Sequence, residues 1–258
     1  MKSRRDFLKI AGLSAFALGT ASALTLATGS KASALPAGTA PAKGSYTNEP
    51  DALHAKRWAM VIDTRKFTSP EHFQRVIDAC HHAHNVPTIP GNQDIKWLWT
   101  DKYAHVFPDD VNAYMPEKFL HGDFLLLCNH CENPPCVRVC PTGATYKDDK
   151  GRVEIHYDKC IGCRMCMAAC PYTGVRSFNW EEPKYSVDHA MGDADAPVHQ
   201  KHVVEKCTMC WHRLAKGLQP ACVEVCPGRV RFFGDFNDPE SEVSRLLRER
   251  AHKQLLPE

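Results

Sequence analysis

The chain is 258 residues long, 43% hydrophobic and 24% charged, with a formal net charge of +2. That composition is ordinary for one large or two small soluble domains, and its charge balance gives no reason to expect a nucleic-acid partner. The thirteen cysteines are not ordinary. They suggest disulfides in an exported protein and metal ligands or redox centres in a cytosolic one, so the compartment must be read first.

Residues 1–34 begin Ser3-Arg4-Arg5-Asp6-Phe7-Leu8-Lys9, continue through a mildly apolar run from Ile10 to about Ala27, and reach the A-x-A site Ala32-Ser33-Ala34. Together these features read as a twin-arginine (Tat) export signal, and only their coincidence argues against a plain basic amphipathic helix. The apolar run is diluted by Gly12, Gly19, Thr20 and Thr25 and is too weak for a membrane span of its own. A Tat signal carries folded, cofactor-loaded proteins, which implies a periplasmic or other extracytoplasmic location and leaves metal ligation open to the cysteines. Its removal takes away Lys2, Arg4, Arg5, Lys9, Lys31 and Asp6 and brings the net charge from +2 to −2.

Residues 35–56, rich in Ala, Pro, Gly, Ser and Thr, read as a flexible leader. Order is expected from Arg57. Trp58-Ala-Met-Val-Ile-Asp63 has the composition of a strand, and Phe73, Val76, Ile77 and Cys80 fall at helical spacing behind the possible cap Ser69-Pro70-Glu71, with Cys80 at the helix end. Three stretches share a strand followed by lysine: Ile62-Asp-Thr-Arg-Lys66-Phe67, Ile155-His-Tyr-Asp-Lys159-Cys160, and Val204-Glu205-Lys206-Cys207. This marks an internal repeat in which Phe67 of the first copy stands where a leading cysteine belongs. Cys80, with Ala79-Cys80-His81 echoing Ala169-Cys170-Pro171, reads as the surviving fourth ligand of a decayed motif; a lone buried thiol is the rival reading. Residues 86–119 show no sustained period and are expected to be a loop or partner-facing insertion, with Trp97 and Trp99 serving packing. Phe124-Leu-Leu-Leu127 is a short apolar strand.

Cys128 to Pro171 holds eight cysteines in two runs, Cys128-x2-Cys131-x4-Cys136-x3-Cys140-Pro141 and Cys160-x2-Cys163-x2-Cys166-x3-Cys170-Pro171. The second is the bacterial ferredoxin signature. Two-residue gaps let one tight loop present three thiolates to three corners of a [4Fe-4S] cube, and the fourth, ahead of proline, reaches the cube of the other run. Two such runs therefore imply two clusters that share ligands crosswise. Between them, Thr145-Tyr-Lys147 and Val153-Glu-Ile155 flank Asp148-Asp-Lys-Gly151, a hairpin signal, and Val175 to Phe178 reads as another strand. Strand, ligand loop, short helix and strand, given twice, is the ferredoxin plan.

Residues 181–201 read as an acidic surface loop. The third run is Cys207-x2-Cys210-x11-Cys222-x3-Cys226-Pro227, whose insertion from Trp211 to Ala221 is expected to carry Arg213 and Lys216 on its exposed side. Zinc is the rival for this run, but the C-x3-C-P ending favours iron. Val230-Arg-Phe-Phe233 reads as a closing strand, and Asp238-Pro239-Glu240 as the cap of a helix carrying Val243, Leu246 and Leu247. His81, His82 and His84 are expected to be solvated or capping rather than ligating. The sequence contains no C-x-x-C-H haem attachment, G-x-G-x-x-G, Walker loop or nucleophile elbow. Clusters held by four thiolates leave no open iron, so conduction of single electrons is expected rather than catalysis.

Cysteine runs of these three types in this order, with Trp58-Ala-Met-Val-Ile-Asp63, Cys80-His-His-Ala-His-Asn-Val-Pro87, Val204-Glu-Lys-Cys-Thr-Met-Cys-Trp-His-Arg-Leu-Ala215 and Phe233-Gly-Asp-Phe-Asn-Asp-Pro239, resemble the NrfC/HmcB-like four-cluster ferredoxin subunits of membrane oxidoreductases. The likeness covers residues 57–247 and, with the export signal, looks closest to the O-type subunit (DsrO) of the sulfite-reduction-associated Dsr complex. It implies an α+β fold of two ferredoxin-like modules, one inserted in the other, with loop insertions. The outer module takes residues 57–85 and 202–247 and carries one cluster; the inner takes 120–180 and carries two; residues 86–119 and 181–201 are insertions. The resemblance further implies docking on an NrfD-type polytopic, quinone-interacting membrane subunit near a multihaem cytochrome c, with membrane association through that partner. Carried over residue by residue, one cluster takes Cys128, Cys131, Cys136 and Cys170; a second takes Cys160, Cys163, Cys166 and Cys140; a third takes Cys207, Cys210, Cys222 and Cys80, with Cys226 the alternative to Cys80. The fourth cluster of a complete member is expected to be absent. An electron-transfer subunit of a molybdopterin enzyme is the other functional reading, and a disulfide- or zinc-stabilised exported protein a remote one.

Overall fold

A computed structural model describes residues 49–252 apart from 64–65, 67–68, 90, 109–110, 183–195, 197–198, 227 and 229. The expected export signal, most of the leader, Phe67, Pro227 and most of the acidic loop lie outside the described residues. The described residues form a mixed α/β fold of short strands paired two by two, joined by one long helix, a two-turn helix and several single-turn ones.

Strand β1 (Trp58–Ile62) forms where the sequence predicts it, and its partner is distant: β8 (Arg231–Asp235) runs antiparallel to it, Trp58 opposite Asp235 and Ile62 opposite Arg231. Trp58 stacks on Phe233 with ring centroids 4.8 Å apart. Helix α1 (Pro70–Ala83) starts with proline at its first turn, where the missing N–H costs nothing, behind Ser69 in extended conformation. Phe73, Val76, Cys80 and Ala83 lie on its buried side. The helix continues three residues past Cys80, so the thiol sits inside the last turn rather than at the end. Phe73, Val76 and Cys80 join Ile95, Trp97, Leu98, Leu125 and Cys222 in one core.

That core corrects the expectation for residues 86–119. They contain β2 (Trp99–Lys102), α2 (Tyr103–Val106) and α3 (Glu117–Leu120), and Ile95, Trp97 and Leu98 are each 1% exposed. Three such side chains contribute about 1.5–3 kcal/mol apiece by burial, which is core packing rather than a partner-facing loop. Strand β2 runs antiparallel to β3 (Asp123–Leu126), Trp99 facing Leu126. Trp-Thr-Asp-Lys is too short and too polar to show a period alone, and pairing with β3 makes it a strand.

After α4 (Pro135–Arg138), β4 (Thr145–Lys147) and β5 (Val153–Ile155) form the expected hairpin. Asp148 closes it by accepting the N–H groups of Lys150 and Arg152 and the Nε–H of Arg152. Helix α5 (Met165–Ala168) follows, then β6 (Ser177–Phe178), shorter than expected, which pairs with β7 (Val204–Glu205). That pair joins the central stretch to the third cysteine run.

The insertion of the third run holds α6 (Trp211–Leu214) and leads to α7 (Ala221–Glu224). Arg213 is not on an exposed face as expected: its side chain is 12% exposed, its Nε–H donates to the Gln219 carbonyl at 3.0 Å, and it pairs with Glu224. Lys216 is half-buried. Helix α8 (Glu242–Glu249) is capped by Ser241, whose hydroxyl accepts the Ser244 N–H at 3.1 Å, and not by the Asp238-Pro239-Glu240 turn before it. Its Val243 and Leu246 close over Phe232 of β8. Among the described residues no helix is long and apolar enough to cross a membrane.

Candidate metal centre

Each cysteine run bends the same way. Between the first two cysteines of the three C-x2-C turns, the second spacer residue is left-handed: His130 at φ 44°, Gly162 at φ 68° and Met209 at φ 56°. An L residue enters that region at a cost of about 1–2 kcal/mol. Its recurrence at one position of three turns therefore reflects a shared geometric demand, which only the second run meets with glycine. A one-turn helix then sets the next cysteine at its second residue, Cys136 in α4, Cys166 in α5 and Cys222 in α7. Cys140, Cys170 and Cys226 follow, their N–H groups donating to the carbonyls of Val137, Met167 and Val223 at 3.3, 3.2 and 3.2 Å.

The thiols gather in sets. Cys128, Cys131, Cys136 and Cys170 line one cavity together with Tyr172 and Arg176. Burial, and then the neighbouring Cys128, Cys136 and Cys170, push the Cys131 thiol up to about 12. Burial likewise lifts Cys170 to about 11, against a backbone N–H from Tyr172. Arg176 donates from Nη2 to the Cys136 sulfur at 2.9 Å. Burial works against its charge, but Cys136, Cys128, Cys166 and Cys170 outweigh it and hold the guanidinium more firmly protonated than usual.

In the second set, burial raises Cys166, Arg176 counteracts this, and Cys160, Cys136 and Cys140 add to it. Burial would raise Cys140 too, but the Thr145 N–H, the Thr142 hydroxyl and further N–H groups of the turn hold it below the usual thiol range. Cys163 stands exposed on the same loop.

The third set is the most enclosed, with Cys80, Cys207, Cys210 and Cys222 between 3% and 7% exposed. Burial raises Cys80 strongly, followed by Cys222, Cys210 and Cys207, while Arg231 acts the other way. Burial, then Cys128 and Cys222, push Cys207 up to about 12. Cys226 is only half-buried; burial raises it, Arg231 and the N–H groups of Val230 and Arg231 oppose this, and Cys222 adds to it. Cys222, Cys210 and Cys207 all bear on Cys80. Cys128 bears on Cys207, and Cys136 on Cys166, so the first set lies between the other two.

One residue of the third set was invisible in the sequence pattern. His84, expected to be solvated or capping, is the C-cap of α1, with Nδ1 2.8 Å from the Cys80 carbonyl, but it is 1% exposed rather than solvated and holds Nε2 3.4 Å from the Cys210 sulfur. Burial, and then His212 beside it, lower its pKa to about 3, so the ring is neutral and has one N–H. A carbonyl cannot donate, so that hydrogen is on Nδ1 and Nε2 faces Cys210 as an acceptor. Behind it lies a buried polar network. Glu205 accepts from Trp97 Nε1 at 3.2 Å, from Asn179 Nδ2 at 2.6 Å and from His199 Nδ1 at 2.5 Å, while His199 Nε2 donates to the His84 carbonyl at 2.8 Å. Both ring nitrogens of His199 face acceptors, so it is an imidazolium. Burial opposes that charge, but the Glu205 carboxylate more than compensates and raises the pKa.

Thiols packed this closely in a dry interior resist ionisation together, and a positively charged iron–sulfur core is the partner that lets them ionise. Among the described residues no three Cys, His, Asp or Glu side chains converge closely enough to hold one metal ion, as a zinc site would require. All thirteen cysteines are free thiols, joined in no disulfide. Residues 123–187 and 194–236 match the 4Fe-4S dicluster domain family. The chain is 35% identical to the Hdr-like menaquinol oxidoreductase iron-sulfur subunit 1 of Archaeoglobus fulgidus over 99% of its own length and 93% of that protein's. It is 35% identical to the NrfC homolog of Haemophilus influenzae over 80% and 77% of the two chains.

The chain belongs to the NrfC-like family of [4Fe-4S] electron-transfer subunits. Like the other members it is an iron-sulfur subunit of an oxidoreductase complex and not the catalytic one. To the arsenate respiratory reductase iron-sulfur subunit ArrB of Shewanella sp. the subunit is 37% identical over 70% of its own length and 80% of that protein's. With other relatives it spans about half of their length.

Proposed function

We propose that this subunit holds three [4Fe-4S] clusters in a row and relays single electrons outside the cytoplasmic membrane. The observation that carries the reading is the grouping of thiols into sets, with the Cys128 set in the middle. Its members Cys128, Cys131, Cys136 and Cys170 would hold the central cluster; Cys160, Cys163, Cys166 and Cys140 one end; Cys207, Cys210, Cys222 and Cys80 the other. Such a cluster supplies one-electron chemistry at a potential anywhere from roughly −700 to +450 mV. The chain's own part is to space the sets, exclude water from the third and supply cations beside the thiols. A nested plan, with the Cys80 helix and the third run forming an outer module around the central one, is supported by the β1–β8 pair, which brings residues 58–62 to residues 231–235.

The export signal supports an extracytoplasmic place. The name of the Archaeoglobus relative, a menaquinol oxidoreductase subunit, supports a polytopic quinone-interacting partner of the NrfD type. A multihaem cytochrome c on the other side, and a role associated with sulfite reduction, rest on the resemblance to the O-type subunit of the Dsr complex. Single Cys→Ser variants of the full chain, assayed for iron and for EPR signals, test the assignment. Cys80→Ser should lose a third of the iron and Cys226→Ser none; a Cys80→Ser protein with all its clusters would overturn it.

The likeness to ArrB, over most of both chains, favours a second reading as the electron-transfer subunit of a molybdopterin reductase. Purification of the full chain with its bound partners separates the two readings: the first expects a polytopic membrane subunit and the second a molybdopterin-containing one.

A further inference from the structure

Among the described residues one buried cation stands out. Arg231 opens β8 opposite Ile62, is 3% exposed, and has no hydrogen-bond partner for Nε, Nη1 or Nη2. A guanidinium has five N–H donors and cannot shed its charge, so burying it unanswered is among the costliest arrangements in a protein interior. The other buried cations have partners. Lys206 donates to the carbonyls of Val153 and Cys207, Arg152 pairs with Asp148, and Arg176 donates to the Cys136 sulfur.

The internal repeat explains the difference. Cys170-Pro171 is followed by Val175-Arg176, and Cys226-Pro227 by Val230-Arg231. Both valines are buried, 2% and 1% exposed, and both arginines stand at the entry of a strand, β6 and β8. Arg176 directs its charge at a set of thiols. Arg231, five residues after Cys226 where Arg176 is six after Cys170, opens the strand that packs on the helical turn carrying Cys222, and its charge acts on Cys226 first and also on Cys80.

We propose that Arg231 is the counter-cation of the third thiol set, Cys80, Cys207, Cys210 and Cys222, and that it raises the reduction potential of the cluster held there. The proposal rests on Cys80 as a ligand of that set. Four thiolates around an iron–sulfur core make an anion that becomes more negative on reduction, and a fixed cation nearby favours the more negative form. The enclosure of all four thiols leaves little water to screen the interaction.

The test is a stepwise redox titration of the holo subunit followed by EPR. Arg231→Gln should keep its iron and lower the reduction equilibrium constant of one cluster tenfold or more, about 59 mV for one electron, leaving the other two in place. Arg231→Lys keeps the charge and should hold the potential within threefold of the wild type. An Arg231→Gln protein with full iron and three unchanged potentials overturns the proposal, as does an Arg231→Lys protein shifted as far as the glutamine variant. If the glutamine variant does not hold all its iron, selective loss of the third cluster, spared in Arg231→Lys, supports the proposal, and equal loss from every set overturns it. A Cys80→Ser protein that retains every cluster removes the ligand reading instead, whatever Arg231 does.

Discussion

Replacing His199 by glutamine isolates one charge in the interior and allows its worth to be measured. The Glu205 side chain is fully buried and that of His199 1% exposed, with Nδ1 and the carboxylate 2.5 Å apart. Removing one member of a buried ion pair costs about 3–5 kcal/mol because the other charge is left without an answer. Two uncharged donors, Trp97 and Asn179, would remain on the carboxylate. The contact from His199 to the His84 carbonyl would go as well, so the loss is transmitted to the third thiol set. Anaerobic bleaching of the cluster absorbance near 400 nm in urea is the assay. The lower bound corresponds to roughly a hundredfold faster bleaching if the pair stays intact until the barrier is crossed. The double variant His199→Gln/Glu205→Gln should recover most of it, since removing both charges leaves neither stranded. The pH dependence has a definite sign. The folded-state pKa of His199 is raised, so the stabilisation is fully present below its unfolded value of about 6.5 and is lost as pH rises through the folded value. The gap between wild type and variant should be widest below pH 6.5 and narrow above it. A variant as slow to bleach as the wild type at pH 6, or a gap that widens with pH, would refute the reasoning.

Glu154 is buried with Oε1 unpartnered, and burial, against the pull of Lys206 and Arg152, raises its carboxyl to about 7. The native state keeps that proton between its ordinary value and 7, so stability falls as pH rises across that window. Glu154→Gln should therefore gain about 3 kcal/mol above pH 7 and nothing below pH 4.5, measured as urea midpoints at the two pH values. Gly162, at φ 68°, leaves no room for a side chain: a Cβ would lie 2.5 Å from the His202 carbonyl oxygen. Iron analysis of Gly162→Ala should show depletion confined to the Cys160 set, and full occupancy would count against that loop geometry. Arg176 bears on three thiols of the Cys128 set and on Cys166 of the neighbouring one. In a redox titration Arg176→Gln should lower two potentials, the Cys128 cluster the more, whereas Arg231→Gln moves one.

The cysteine turns were legible because their chemistry is local: two-residue spacing and the left-handed turn between thiols need nothing from the rest of the chain. Cys80 was legible only through the repeat, by the likeness of Ala79-Cys80 to Ala169-Cys170. Strand β2 was not, since Trp99-Thr-Asp-Lys becomes a strand by pairing with β3 and carries no period of its own. Nor was the polar network. His84, His199 and Glu205 meet across 121 residues of sequence through a loop carbonyl and an indole N–H, and no spacing links them. Ser241 rather than Asp238 caps α8 because both are good cap residues, and only the backbone at β8 decides which one turns inward. Arg231 is marked in sequence only by its place after Cys226-Pro227; its burial, 3% exposed, is a matter of packing that no spacing shows.

The pairing of β1 with β8 sets an order on biosynthesis. The central thiols lie close together in sequence, but Cys128 shares a core with Tyr103, Phe107 and Cys207, and β6 pairs with β7, so their surroundings close only once residues 204–207 are made. The helix bearing Cys80 is among the first parts of the ordered chain to emerge, yet the surface it covers is made of residues from Ile95 to Cys222 and its neighbouring strand is completed only at Asp235. Contacts of such sequence separation form late, because the loop must be closed before they repay it. The third set of thiols is thus assembled last from the oldest and newest parts of the chain. A nascent subunit halted before residue 207 would hold the Cys80 helix against Ile95, Trp97, Leu98 and Leu125 but lack Cys222 and the strand that pairs with β1, a state distinct from the finished one.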